Sequence, residues 1–192
     1  MPMRTLKIFF LFVVLLPPAA NSQEKARIDE IKDLFSAWQP IIKAEIKKAP
    51  AVYLYTWGEN YENMEWTTRE LKSDQKQLSE KNSIIRNKLG SYVLREVYSY
   101  SGDWLVISES YYDTNGNLFF VFWKMNTFQA EEPATIEKRL YFNVSGKILR
   151  SLREIYKLNT KQRQNISFTD RDVDYELEFK NLAFYDYLPK IP

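Results

Sequence analysis

Residues 111–124 read YYDTNGNLFFVFWK, and the architecture follows from them. Asn115-Gly116 is the strongest short-range hairpin signal, and Asp113 ahead of it can bond its own backbone while Gly116 accepts a positive φ. The segments on either side are therefore the two arms of an antiparallel hairpin. The second arm is apolar at both parities: Leu118, Phe120 and Phe122 on one, Phe119, Val121, Trp123 and Met125 on the other. A strand with one wet face alternates apolar and polar residues. Both faces of this strand must then be covered, or one must line a cavity. Leaving three such side chains in water forfeits about 1.5–3 kcal/mol each and invites edge-to-edge aggregation.

The same turn chemistry recurs downstream. Tyr141-Phe142-Asn143-Val144-Ser145-Gly146-Lys147-Ile148-Leu149 aligns on its glycine with Tyr111–Phe119, and Gly102-Asp103-Trp104-Leu105 is a shortened third copy. Five strand-like runs result: 92–100, 103–112, 117–125, 135–143 and 147–156. Turns this short force neighbouring strands to be antiparallel, which makes a meander. Ala51–Trp57 and Glu65–Leu71 read as a further hairpin around a polar turn. Ser73–Leu89 is charged and amide-rich; Leu78, Ile84, Ile85 and Leu89 at helical spacing, with Gly90 as a stop, predict either a helix or a long connection.

Gln23–Lys48 is the clear helix. Ile28, Ile31, Leu34, Phe35, Trp38, Ile42 and Ile46 form a stripe at three- and four-residue steps, and Pro40 within it predicts a kink or a split. At the other end, Val173, Tyr175, Leu177 and Phe179 alternate with charged residues, a strand period. Thr169 with Asp172 is a helix-start signature, and the reading adopted for 170–188 is helical. The expected fold class is α+β: an antiparallel meander sheet of about five to seven strands packed against an N-terminal amphipathic helix, with the C-terminal segment closing the domain.

The paired Tyr/Phe-Asp/Asn-x-x-Gly hairpins behind an amphipathic helix resemble small exported bacterial domains over residues 92–156. The shared motifs are structural rather than catalytic, so the resemblance carries over no site residue.

Composition narrows the chemistry. Arg4 and Lys7 precede the apolar run Ile8–Leu16, and small residues follow up to Ser22. This is the pattern of a secretory signal peptide over 1–22, too short for a permanent span of about 20 apolar residues. It leaves residues 23–192 as a single exported domain, periplasmic or secreted, with no transmembrane segment. The chain holds 27 basic residues; without Arg4 and Lys7 it holds 25, equal to its 25 acidic ones, a balance that speaks against a general nucleic-acid binder. There is no cysteine, so no disulfide, and no histidine, so no imidazole base, no Ser–His nucleophile and no His-held zinc. The acidic run from Asp170 and the loop from Asp113 both lack the glycine placement of a calcium loop.

No catalytic residue, metal or cofactor is assigned. The expected function is a non-catalytic exported binding or interaction module. Its candidate ligand-binding residues are Trp57, Tyr61, Trp66, Phe120, Phe122 and Trp123, and its partner is a protein, a glycan or a hydrophobic ligand. The first alternative is a carrier of a lipid or lipidated peptide, which requires a cavity between helix and sheet. The second is a carboxylate enzyme acting on glycans, since Trp57, Tyr61 and Trp66 interleave with Glu59, Glu62 and Glu65. That reading requires two acids converging in one cleft.

Overall fold

A computed structural model describes residues 18–72, 75–130, 132–165 and 171–188, with side chains from residue 22. Most of the expected leader, and Asp170, lie outside the described residues. One helix, α1 (Pro18–Glu45), extends into a short 3-10 turn, Ile46–Lys48. Nine strands follow: β1 (Ala51–Trp57), β2 (Asn63–Thr67), β3 (Gln77–Asn87), β4 (Gly90–Tyr98), β5 (Trp104–Tyr112), β6 (Leu118–Thr127), β7 (Ala134–Phe142), β8 (Ile148–Lys157) and β9 (Arg163–Gln164). They form a single antiparallel sheet ordered β2-β1-β3-β4-β5-β6-β7-β8-β9. From β3 onward it is the meander that the short turns require.

The aligned hairpin turns share their geometry. Asp113 Oδ1 accepts from the amides of Asn115 (2.8 Å) and Asn117 (2.9 Å), and Asn143 Oδ1 accepts from those of Ser145 (3.0 Å) and Lys147 (2.9 Å). The fourth residue of each turn is a glycine at φ +82 or +78. Both hairpins also carry a bulge at the same place. Tyr111 faces Phe120 and Tyr112 faces Leu118, which leaves Phe119 as an extra residue; Tyr141 faces Arg150 and Phe142 faces Ile148, which leaves Leu149. The extra residue breaks strict alternation. Leu118 thus joins Val121, Trp123 and Met125 in one core cluster, and Phe119 joins Phe120 and Phe122 in the other. Parity alone places Leu118 and Phe119 on the wrong faces.

Both faces are covered. α1 lies on the face carrying Ile85, Tyr92, Tyr111, Phe120 and Tyr141, where Ile31 and Trp38 lose all exposure. Phe35 meets the rings of Tyr111 at 5.5 Å and Phe120 at 5.3 Å, and Trp38 meets Tyr92 at 6.0 Å. The opposite face is crossed by residues 171–188, a strap tied to successive strands. Lys138 Nζ donates to the Arg171 carbonyl (2.8 Å), the Tyr112 hydroxyl to the Glu176 carbonyl (3.1 Å), the Leu118 amide to Leu177 (2.9 Å) and the Phe179 amide to Gly116 (2.8 Å). Phe179 and Phe184 are buried in it, and Tyr175 packs edge-on to Phe142 at 5.1 Å.

Four expectations need correction. The sheet has nine strands, not five to seven. The described part of Ser73–Leu89 is neither a helix nor a long connection but chiefly strand β3, with Gly90 opening β4 rather than stopping a helix. Ser79 and Glu80 within it are buried because Thr56, Tyr100 and Arg95, distant in sequence, bond them, a tertiary effect that local composition does not register. Of the two outcomes expected at Pro40, the split does not occur: the cost of an interior proline, about 3 kcal/mol, is outweighed by Trp38, Ile41 and Ile42 seating the helix on the sheet to either side. The described part of the C-terminal segment is not an α-helix. It is extended up to two 3-10 turns, Phe179–Asn181 and Tyr185–Tyr187, and touches the sheet ladder through one bridge, Asn117 with Glu178. The period-two pattern there reflects an extended chain lying on a sheet face rather than a strand within a sheet. The expected mature start at Gln23 falls inside α1, and the described apolar stripe that packs on the sheet begins at Ile28.

Candidate functional site

The six sequence-derived candidates do not share a surface. Phe120 is buried beneath α1, and Phe122, on the same face, carries the Arg139 guanidinium 5.6 Å from its ring centre. Trp123 points the other way and is buried under the strap side, with Lys138 Nζ 4.9 Å from its centroid. Trp66 also faces that side, 5.8 Å from Phe184. Trp57 sits at the far end of β1 under Lys76, and Tyr61 stacks on Tyr100 at 3.6 Å with a left-handed φ of +57. Two faces and one end of the sheet divide them; only Trp66 borders the site described next.

That site lies between the strap and strands β3, β4 and β5. Asn82, Arg95 and Ser108 are consecutive cross-strand neighbours on the strap-side face, and Glu80 is one step along β3. Asn82 Nδ2 donates to Glu80 Oε1 (2.8 Å), and Arg95 Nη2 donates to Glu80 Oε2 (2.8 Å). The other arm of the guanidinium reaches Asp174 on the strap at 2.5 Å. Burial works against the Arg95 charge, but Glu80 and Asp174 outweigh it and hold its pKa above the ordinary value. Three buried atoms of this row have no protein partner: Asn82 Oδ1, Arg95 Nε and Ser108 Oγ. Asn82 is 0% exposed. A buried amide oxygen left unpaired costs about 1–3 kcal/mol, so native structures rarely keep one without something to bond it. Asn82 and Arg95 line a cavity of about 100 Å³ roofed by Asp174, Tyr175, Glu176 and Phe184. That is room for about three waters.

No protein family, curated protein or solved structure matches this chain. The reading of the site therefore rests on its own geometry.

The two ends of the Arg95 bridge differ in worth. Glu80 is almost wholly buried, with 8% of its side chain exposed, whereas the Asp174 side chain is 73% exposed. Arg95→Ala strands the Glu80 carboxylate in the interior and should cost roughly 2–3 kcal/mol, below the figure for a fully buried pair because Arg95 itself reaches solvent. Asp174→Ala removes a solvent-screened partner and should cost less than about 1 kcal/mol. Urea unfolding of the two variants measures the ratio.

Among the described residues one carboxylate has a raised pKa, and it lies on the opposite face. Glu109 is adjacent in sequence to Ser108 and so points toward α1. Burial lifts its pKa, against the opposing effect of hydrogen bonds from Tyr111 and Tyr92 and the charge of Lys124. The Tyr111 hydroxyl donates to it at 2.6 Å and accepts from Gln39 Nε2 of the helix at 3.4 Å. Glu80 and Glu109 thus stand on different faces and cannot flank one bond. Among the described residues no group of three potential ligands gathers to hold a metal ion, and no helix is long and apolar enough to cross a membrane.

Glu109 has a consequence for pH dependence. A carboxyl whose folded pKa exceeds its unfolded value binds its proton more tightly when folded. Its contribution is fully present below the unfolded value near 4.5 and is lost as pH rises through the raised folded value. Glu109→Gln, which stays neutral, should remove that fall. Urea midpoints measured from pH 4 to pH 8 should decline less steeply in the variant than in the parent.

Proposed function

We propose that this chain is an exported, non-catalytic binding module that holds its ligand in the cavity between the strap and strands β3–β5. The observation that carries the reading is the fully buried Asn82, with an unpaired carbonyl oxygen, among the residues lining a partly open cavity. Filling that position with an apolar isostere of Asn would be simpler if packing were its only role, since a half-satisfied polar network is worse than an apolar core. The export assignment is supported by the basic and apolar leader, with Arg4 and Lys7 ahead of the run Ile8–Leu16.

A second reading, the carrier of a hydrophobic ligand, is favoured by a different space. A cavity of about 370 Å³ opens at the C-terminal end of α1, where Ala44, Ala49, Pro50, Ile84, Ile85 and Leu188 form its lining along with charged residues at its rim. The centre of the helix–sheet interface supports it less, being filled by rings packed edge-on or tilted against one another. Native mass spectrometry of residues 23–192, taken from the exported fraction without detergent, separates the readings. A small added mass that disappears in Asn82→Leu supports the strap-side site. An added mass of lipid size supports the carrier instead, and a bare polypeptide mass in both proteins contradicts a tightly held ligand.

A further inference from the structure

Resting on the strap-side reading, we infer that the cavity takes a small organic ammonium ion that also carries an oxygen acceptor, the chemistry of an amino alcohol. Three observations converge on that class. The first is charge. Glu80, Asp174 and Glu176 line the cavity against the single cation Arg95, and Arg95 is already engaged by two of them at 2.8 and 2.5 Å. An anion entering the cavity would meet a net negative wall and would have to compete with two carboxylates for the guanidinium. A cation meets only the Arg95 charge, which Glu80 and Asp174 already engage, and the carboxylates outnumber it.

The second is the set of unpaired atoms. Asn82 Oδ1 is an acceptor without a donor, and Arg95 Nε–H is a donor without an acceptor. Asn82 and Arg95 are direct cross-strand partners, so the two unpaired atoms belong to neighbouring side chains. A ligand N–H directed at Asn82 and a ligand oxygen directed at Arg95 satisfy both at once; a bare alkylammonium satisfies only one. The third is aromatic lining. Trp66, Tyr112, Tyr175 and Phe184 bound the same space, and aromatic faces attract a desolvated organic cation by about 0.5–2 kcal/mol each where the geometry suits. The volume of about 100 Å³ limits the buried part to a few heavy atoms.

The probes are ethanolammonium, its neutral isostere ethylene glycol and the anion glycolate, each titrated into uniformly ¹⁵N-labelled residues 23–192 and followed by NMR. The reporters are the Asn82 side-chain amide and the Arg95 Nε–H. Four heavy atoms at good efficiency correspond to binding that saturates below about 10 mM. The expected result is saturable movement of both reporters with ethanolammonium, and at least about tenfold weaker response with either isostere, the worth of one charged hydrogen bond. Glu80→Gln, which keeps the shape and removes a charge, should weaken ethanolammonium by a similar factor. Should ethylene glycol or glycolate bind as well as ethanolammonium, the ammonium assignment is overturned while the binding site stands. If none of the three moves either reporter, the cavity holds water only, and both this inference and the strap-side reading fail. Because the ligand series uses the unmodified protein, the outcome does not depend on whether a variant folds.

Discussion

Gly90→Ala should lower the stability of the domain by roughly 4 kcal/mol, which for a chain of this size is about 8–16 °C in Tm. Gly90 opens β4 at φ +124, outside the region open to L side chains, and that backbone strain alone is worth about 1–3 kcal/mol. A Cβ there would also lie 2.0 Å from the Tyr112 carbonyl oxygen and 2.7 Å from the Asp113 carbonyl carbon. Both are backbone atoms, so no rotamer relieves the contact. The β3–β4 turn would have to move away from the end of β5, at the point where the register that places Asn82, Arg95 and Ser108 side by side begins. Gly102→Ala is the control. Its φ is +78, yet nothing lies within 4 Å of the added carbon, so it should cost only about 1 kcal/mol. Thermal melts showing equal losses for the two variants would contradict the close approach.

Removal of the strap should have an effect of similar size. A chain ending at Asp170 loses the burial of Phe179 and Phe184, about 1.5–3 kcal/mol each, and uncovers the apolar surface that they share with Tyr112, Leu118 and Phe142. Against a total stability of about 5–15 kcal/mol, a loss of roughly 3–6 kcal/mol leaves the truncated chain marginal. It should melt about 10–20 °C lower and bind a hydrophobic dye that the full chain does not. A truncated chain that melts within a few degrees of the parent would mean that residues 171–188 do not seal this face.

The parts of this architecture that are legible in the sequence are those fixed by local chemistry. The helical stripe from Ile28 to Ile46 is the stripe that packs, and the Asp/Asn-x-x-Gly turns mark hairpins that do form. The doubly apolar run Leu118–Met125 correctly implies two covered faces. What escapes the reading depends on partners distant in sequence. Residues 79–83, SEKNS, look like a solvated helix or connection because nothing local reveals that Arg95 satisfies Glu80 or that Thr56 and Tyr100 bond Ser79. The bulge at Phe119 is likewise set by pairing rather than by residue type. The candidate site was missed for the same reason: attention to exposed-looking aromatics selects Trp57 and Tyr61, whereas the unpaired polar atoms sit in the interior of a strand. A usable signal was present. Polar residues flanked by Leu78 and Ile84, and a lone Arg95 inside the run YVLREVY, are what a buried charge pair between adjacent strands looks like in sequence.

Everything proposed for the strap-side cavity presupposes that residues 171–188 are docked on the sheet in the native protein. Native-state amide hydrogen exchange on residues 23–192 tests that most directly, through the Phe179 amide bonded to Gly116 and the Leu118 amide bonded to Leu177. The account predicts that both exchange as slowly as the amides at the centre of β6, such as Val121. Free-peptide exchange at Phe179 and Leu118 beside a protected β6 would contradict it, and the cavity would lose its roof.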